Sequence, residues 1–186
     1  MEWIGKRIKL RRPRVEDRDV IYEKWASVPE VTTYMAWPTH RSHKDCDAFL
    51  VMSDAMWDEY GCGPMIIEDR ESGEIIGSAG LMFDGSDEVG VGYILSKEHW
   101  GQGYATEALE LAIVGARDQA IEELVCGIHP AHIASRRVAQ KCGFTLSADQ
   151  PSSRLVFPQI DSENEGYTVR YILVLEEVRE DKTPVQ

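Results

Sequence analysis

Residues 93–108 read Tyr93-Ile-Leu-Ser-Lys-Glu-His-Trp-Gly-Gln-Gly-Tyr-Ala-Thr-Glu-Ala108. The run passes from an alternating apolar stretch through a glycine turn into a helical pattern. The strand begins upstream, because Val89, Val91, Tyr93 and Leu95 share one face while Gly90, Gly92 and Ile94 share the other. Glycines inside a strand mark a bulge or a close backbone approach by a ligand. After the turn, Ala105, Ala108, Leu109, Ala112, Ile113 and Ala116 follow an i, i+3, i+4, i+7, i+8, i+11 series. That spacing predicts a helix over about residues 106–119. A helix start leaves about four N–H groups unpaired and carries partial positive charge, so a glycine loop feeding one suits a phosphate or pyrophosphate. Three readings stand at this point. A dinucleotide fingerprint would need a third glycine where Thr106 stands, although Glu122 falls near the right distance for its acid. A Walker A loop would need Gly-Lys-Ser/Thr, which is absent. The third reading is a structural turn with no ligand.

Outward from this segment, the chain reads as one α+β unit. Arg7 to Arg12 alternates basic and apolar residues as a half-solvated strand does, and Pro13 ends it. Glu16 and Asp17 open a helix expected to run to about Ser27. A polar and aromatic loop spans Val31 to His40. Ser42 with Asp45 resembles a capping box ahead of an apolar stripe that includes Cys46, Phe49, Leu50, Met56, Trp57 and Tyr60. Gly61 and Gly63 stop that helix. Met65–Ile67 and Ile75–Phe83 flank an Arg-Glu-Ser-Gly turn and predict a hairpin. A short strand is expected at Leu124–Ile128 and a helix at Ile133–Cys142, capped by Gly143. Leu155–Ile160 and Tyr167–Leu175 read as a final strand pair. Hairpins at both ends and irregular alternation between them predict a mostly antiparallel sheet.

Composition narrows the function. The 186 residues carry 20 Lys and Arg against 32 Asp and Glu, a formal charge of −12. A nucleic-acid binder would need a basic face, so that class is not expected. The longest stretch without Asp, Glu, Lys or Arg runs from Leu124 to Ser135, shorter than the ~20 apolar residues of a membrane span. Charges fill the N-terminus where a signal peptide would be apolar. Cys46, Cys62, Cys126 and Cys142 form no C-x-x-C pair and read as reduced thiols of a cytoplasmic protein. With His129 and His132, two of them match no common zinc spacing, so no metal is expected.

Trp100-Gly-Gln-Gly-Tyr-Ala105 resembles the acetyl-CoA loop of the GNAT superfamily of N-acetyltransferases, and most of all its RimJ/RimL-like branch. That pattern is Gln/Arg-x-x-Gly-x-Gly/Ala, with Trp100 in the first place here. Ile8–Pro13 resembles the family's first strand, and Val31–His40 its aromatic loop. His129-Pro-x-His-x-x-Ser135 followed by Val138–Phe144 resembles its Asn-x-x-Ser…Lys-x-Gly-Phe stretch. The likeness covers about residues 6–175. It implies a single GNAT domain over residues 1–186, with a mixed, twisted sheet and helices on both faces.

The resemblance also implies a mechanism. Acetyl-CoA would lie where the sheet splays, as co-substrate. Backbone N–H groups of Gln102, Gly103, Tyr104, Ala105 and Thr106 would hold its pyrophosphate, with Trp100 and Gly101 as further cofactor-binding residues of the loop and Glu107 turned away. Ile94, Leu95 and Ser96 would pair with its pantetheine arm, and His132 and Ser135 would lie beside it. A primary amine, from a protein N-terminus or a small molecule, would attack the thioester directly. Strand amides around Ile94 would hold the oxyanion. The family's strand glutamate falls at Gly90, so Glu88 is the replacement base, His132 a second candidate, and Ser135 the group protonating the thiolate. Tyr34, Trp37, His40 and Tyr93 would line the acceptor side. Lys97, Arg136 and Lys141 are the cations expected near phosphate. Relatives are often homodimers. The missing glutamate leaves one alternative, a GNAT-fold module that binds CoA without catalysis.

Overall fold

The computed structural model describes residues 1–148, 155–160 and 168–175. Among them eight strands form one mixed sheet: β1 (Glu2–Ile4), β2 (Ile8–Arg11), β3 (Pro64–Asp69), β4 (Ile75–Phe83), β5 (Val89–Leu95), β6 (Glu123–Ile128), β7 (Thr145–Leu146) and β8 (Val169–Val174). Their order across the sheet is β1-β2-β3-β4-β5-β6-β8-β7. Every neighbouring pair is antiparallel except β5 and β6, which run parallel. Five α-helices accompany them among the described residues: α1 (Arg18–Ile21), α2 (Pro29–Thr32), α3 (His43–Tyr60), α4 (Tyr104–Asp118) and α5 (Ile133–Lys141).

Strand alternation sorts the core onto two faces. Met65, Ile67, Ile76 and Leu95 point to one side and pack with Ala108, Leu109, Ala112 and Ala116 of α4. Ile66 and Ile94 point to the other, where Ile21 of α1, Val31 of α2 and Cys46 and Leu50 of α3 cover them. The expected α+β architecture with helices on both faces is therefore present. At the start of α3 the Asp45 carboxylate accepts the N–H groups of Arg41 at 2.7 Å and Ser42 at 3.0 Å. Gly61 ends the helix at φ +69°, a backbone shape that strains any side chain.

Three expectations change. The helix predicted to run to Ser27 is broken: α1 is one turn long, and the chain then widens so that Ser27 N–H reaches Tyr22 O. The wide turn sends Ile21, Trp25 and Ala26 into the same cluster, which a regular helix of that spacing would not do. Leu155–Ile160 forms no strand; a turn closes Ile160 N–H onto Phe157 O. Two-residue β7 takes the place beside β8 instead, and Tyr167 lies outside the described residues. The glycines of β5 also make no bulge against β4, because the two strands pair one-to-one from Gly77↔Leu95 to Phe83↔Val89. Among the described residues no helix is long and apolar enough to cross a membrane.

Candidate functional site

The parallel pair is where the sheet opens. β5 and β6 meet at a single register pair, Gly90↔Val125, while β6 stays zipped to β8 over six. Beyond Gly90 the two strands diverge. Ser96 N–H bonds Ile76 O at 2.9 Å, so alternation along β5 turns the backbone groups of Ile94 toward β4. The N–H groups of Tyr93 and Leu95 then face the gap. The amide that can hold an oxyanion from this strand is thus next to Ile94, not its own. A Cβ added at Gly92 would meet nothing within 4 Å, which leaves room along the strand.

At the end of β5 the glycine turn is built to expose amides. Ser96 is buried, and its Oγ pairs with His99 Nδ1 at 2.7 Å. The Trp100 indole folds back to donate to Leu95 O at 2.9 Å. Gly101 and Gly103 take φ +72° and +84°, which puts α4 at an angle that only glycine reaches without strain. Among the described residues the N–H groups of Gly101, Gln102, Gly103, Tyr104, Ala105 and Thr106 have no acceptor; the first amide satisfied is that of Glu107, on Gly103 O. Six free donors at the positive end of a helix make an anion cradle.

Glu107 would spoil that cradle if it faced it, and it does not. Its carboxylate accepts Arg7 N–H at 2.7 Å, Ile8 N–H at 3.3 Å and Arg7 Nε at 2.9 Å. Burial alone would raise its pKa, but these bonds outweigh burial and hold it below the usual carboxylate range. Arg7 escaped the sequence reading as a site residue. Its only signal was membership of a basic, alternating strand, which also describes an ordinary edge strand.

The open side between β5 and α5 collects polar side chains. The Tyr93 hydroxyl lies 2.8 Å from Ser135 Oγ and 3.0 Å from Ser135 O. Burial pushes the Tyr93 pKa far above that of a free phenol, so it stays protonated and donates. Burial likewise holds the thiols of Cys126 at about 12 and Cys142 at about 11, so neither is a thiolate near neutral pH. His132 precedes α5, and its ring stacks 4.5 Å from Tyr34; His129 also stacks on Tyr34, at 5.2 Å. Burial and then the neighbouring His129 lower the His132 pKa below the ordinary imidazole value. Trp37 and His40 form a further pair, tilted rather than stacked, at 4.9 Å. His40 turns Nδ1 to Cys46 Sγ at 3.1 Å, and burial lowers its pKa too. Gln159 donates to Trp37 O at 2.8 Å, and Phe157 meets the His129 ring edge-on.

So Tyr34, His132, Ser135 and Tyr93 come together from separate parts of the chain. Glu88 does not join them. It sits just before β5, on the far side of Gly90 from the loop, and its carboxylate bonds Arg170 at 2.9 Å. Of the expected cations, Lys97 pairs with Glu30, and Arg136 bonds the Tyr171 hydroxyl and Pro130 O. Lys141 is exposed on α5.

Comparison with known proteins matches this geometry to a family. Residues 7–145 match the family described as Acetyltransferase (GNAT) domain. The chain is 28% identical over 158 residues to Uncharacterized N-acetyltransferase p20 of Bacillus licheniformis, spanning 81% of this chain and 88% of that protein. An acetyltransferase structure from Agrobacterium tumefaciens superposes with a TM-score of 0.76 at 22% identity, covering 94% of this chain and 95% of that one. RimL, a ribosomal L7/L12 alpha-N-protein acetyltransferase solved in complex with coenzyme A, superposes with a TM-score of 0.76 at 16% identity, covering 95% and 99%. With most of its length matched by the family and its sheet opened in this way, the chain belongs to the GNAT family of acetyltransferases.

Proposed function

We propose that the protein moves the acetyl group of acetyl-CoA onto a primary amine by direct attack on the thioester. The observation that carries this reading is the row of six unpartnered amides at residues 101–106, set at the end of a strand whose edge is open. The residues present fit the co-substrate. Amides at a helix start suit a pyrophosphate, and the free edge of β5 at Tyr93 and Leu95 suits the amides of a pantetheine arm. Bound there, acetyl-CoA supplies an activated acyl carbon and a thiolate leaving group.

The chain supplies the rest. His132 accepts the proton of the attacking amine, because its lowered pKa keeps the imidazole neutral. Its placement against Tyr34 of the aromatic loop favours it over Glu88, which Arg170 already holds. The Tyr93 or Leu95 amide holds the developing oxyanion. Ser135 gives its hydroxyl proton to the thiolate. The Tyr93 hydroxyl, 2.8 Å from Ser135 Oγ, turns its proton to the oxygen left behind. Ser135 is reset by the proton that His132 took from the amine, passed on through solvent. Tyr34, Trp37 and His40 wall the amine side. A RimJ/RimL-like acceptor, the amine of a protein N-terminus, suits a site this open between loop and sheet, and RimL is named for that activity. Four free cysteines suit a reducing, cytoplasmic setting.

The test is thiol release from acetyl-CoA across a panel of N-terminal peptides and small amines. Turnover on one acceptor, with no turnover on the matching alcohol, supports the reading. Tight acetyl-CoA binding with no release on any acceptor favours a CoA-binding module without catalysis. The observation behind that second reading is Gly90, where the family's strand glutamate would stand.

A further inference from the structure

We propose that Arg7 is a phosphate-binding residue, and that the free Nη2 end of its guanidinium takes a pyrophosphate oxygen of CoA beside Gly103. The inference rests on the acetyl-CoA reading above.

The guanidinium is fixed on two edges. Nε donates to Glu107 at 2.9 Å, and Nη1 donates to Gln102 O at 2.9 Å. Its plane lies over the Tyr104 ring, 4.3 Å from the centroid. Nη2 has no acceptor among the described residues and lies 3.5 Å from the point a Cβ on Gly103 would occupy. The one free donor edge therefore sits at the glycine that opens the amide cradle.

The charge balance points the same way. Arg7 and Glu107 sum to zero, but they do not face the same place. The Arg7 side chain is 41% exposed and the Glu107 side chain 14%. Glu107 is turned onto the start of β2, so the cradle meets the cation first. Lysine would do this less well, because its donors radiate from one point charge, whereas the planar fork spreads them to reach Glu107, Gln102 and a third acceptor. In a chain with formal charge −12, an oriented local cation near the loop matters more than in a neutral one.

The plain alternative is a tether: Arg7 ties the loop to β2 and never meets phosphate. Wild type, Arg7→Met and Arg7→Lys separate the two. CoA binding is read by isothermal titration at two salt concentrations. Activity is read with acetyl-pantetheine, a donor that lacks all phosphates, and folding by the melting temperature. The expected result is CoA binding weaker by about tenfold to a hundredfold in Arg7→Met, as loss of a charged hydrogen bond implies. The salt dependence of that binding should also flatten, while kcat/KM with acetyl-pantetheine stays within about twofold. Arg7→Lys should recover part of the CoA affinity. Equal losses with CoA and acetyl-pantetheine would make Arg7 a tether and overturn the proposal, as would unchanged CoA binding. A wild-type protein that binds no CoA would instead overturn the acetyl-CoA reading itself, and this inference with it.

Discussion

In the proposed reaction, His132 is the residue on which the chemistry turns. Its folded pKa is lowered, by burial first and His129 second, relative to about 6.5 for a free imidazole. A lowered histidine pKa means the fold favours the neutral ring. The stability this contributes is present above the unfolded value and is lost as pH falls through the folded value. Activity should follow the same direction, with the acid limb of kcat at saturating amine below about 6.5. His132→Gln should cut kcat by about 10²- to 10⁴-fold and remove that limb, with little change in the KM for acetyl-CoA. A variant that keeps the wild-type acid limb would exclude His132 as the base. Glu88→Gln makes the contrast. Its partner Arg170 is about nine-tenths buried, so losing the ion pair should cost stability, while kcat stays within about twofold. Tyr93→Phe removes the donor to Ser135. It should lower kcat and reduce unfolding stability by about 1–2 kcal/mol, the net worth of the two hydrogen bonds the hydroxyl makes.

At the scale of elements, α4 does two jobs: its start exposes the amide cradle and its last turn seats β1. A Cβ at Gly115 would come within 2.0 Å of the Trp3 ring, which is 6% exposed and has nowhere to move. Helix propensity alone favours Ala over Gly by about 1 kcal/mol. Overpacking against a rigid indole costs about 1–3 kcal/mol, so the sign should be destabilising. Gly115→Ala should therefore lower the melting temperature by several degrees. Made instead in a Trp3→Ala background, where the indole is gone, Gly115→Ala should no longer destabilise, and a double-mutant cycle on the melting curves reads that coupling. β1 itself was not legible: Glu2–Ile4 is three residues, too short for a period-2 pattern. β5 and α4 were legible almost to the residue, because two different periods meet at Gly101 and Gly103. The cradle could be read from that junction, since it is made of backbone. Glu107 was also readable, since an acid facing an anion is unfavourable. The Tyr34–His132 stack and the Tyr93–Ser135 bond were not, because the members of each pair lie far apart in the chain and only the sheet opening brings them together. Leu155–Ile160 misled for the opposite reason: Phe157 serves the aromatic cluster, edge-on to His129, while Leu155, Val156 and Ile160 stay exposed and join no ladder.

For the whole molecule the formal charge of −12 sets opposite rules for the two substrates of the proposed reaction. CoA carries several negative charges, so the long-range field repels it and binding must come from the short-range cradle. An ammonium acceptor is attracted by the same field. Salt screens the field over about 10 Å at 0.1 M while acting less on buried contacts. Raising salt from about 10 to 150 mM should therefore raise the association rate constant of CoA, because repulsion is being removed. Its dissociation rate should rise as well, since the exposed phosphate contacts weaken. For a cationic amine the association rate should fall over the same range. Stopped-flow mixing with CoA and kcat/KM with a cationic peptide acceptor read the two trends separately. A basic cleft that overrode the global field would make CoA association slow down with salt instead. Trends of the same sign for both substrates would mean that local charges, and not the acidity of the whole chain, govern how the partners arrive.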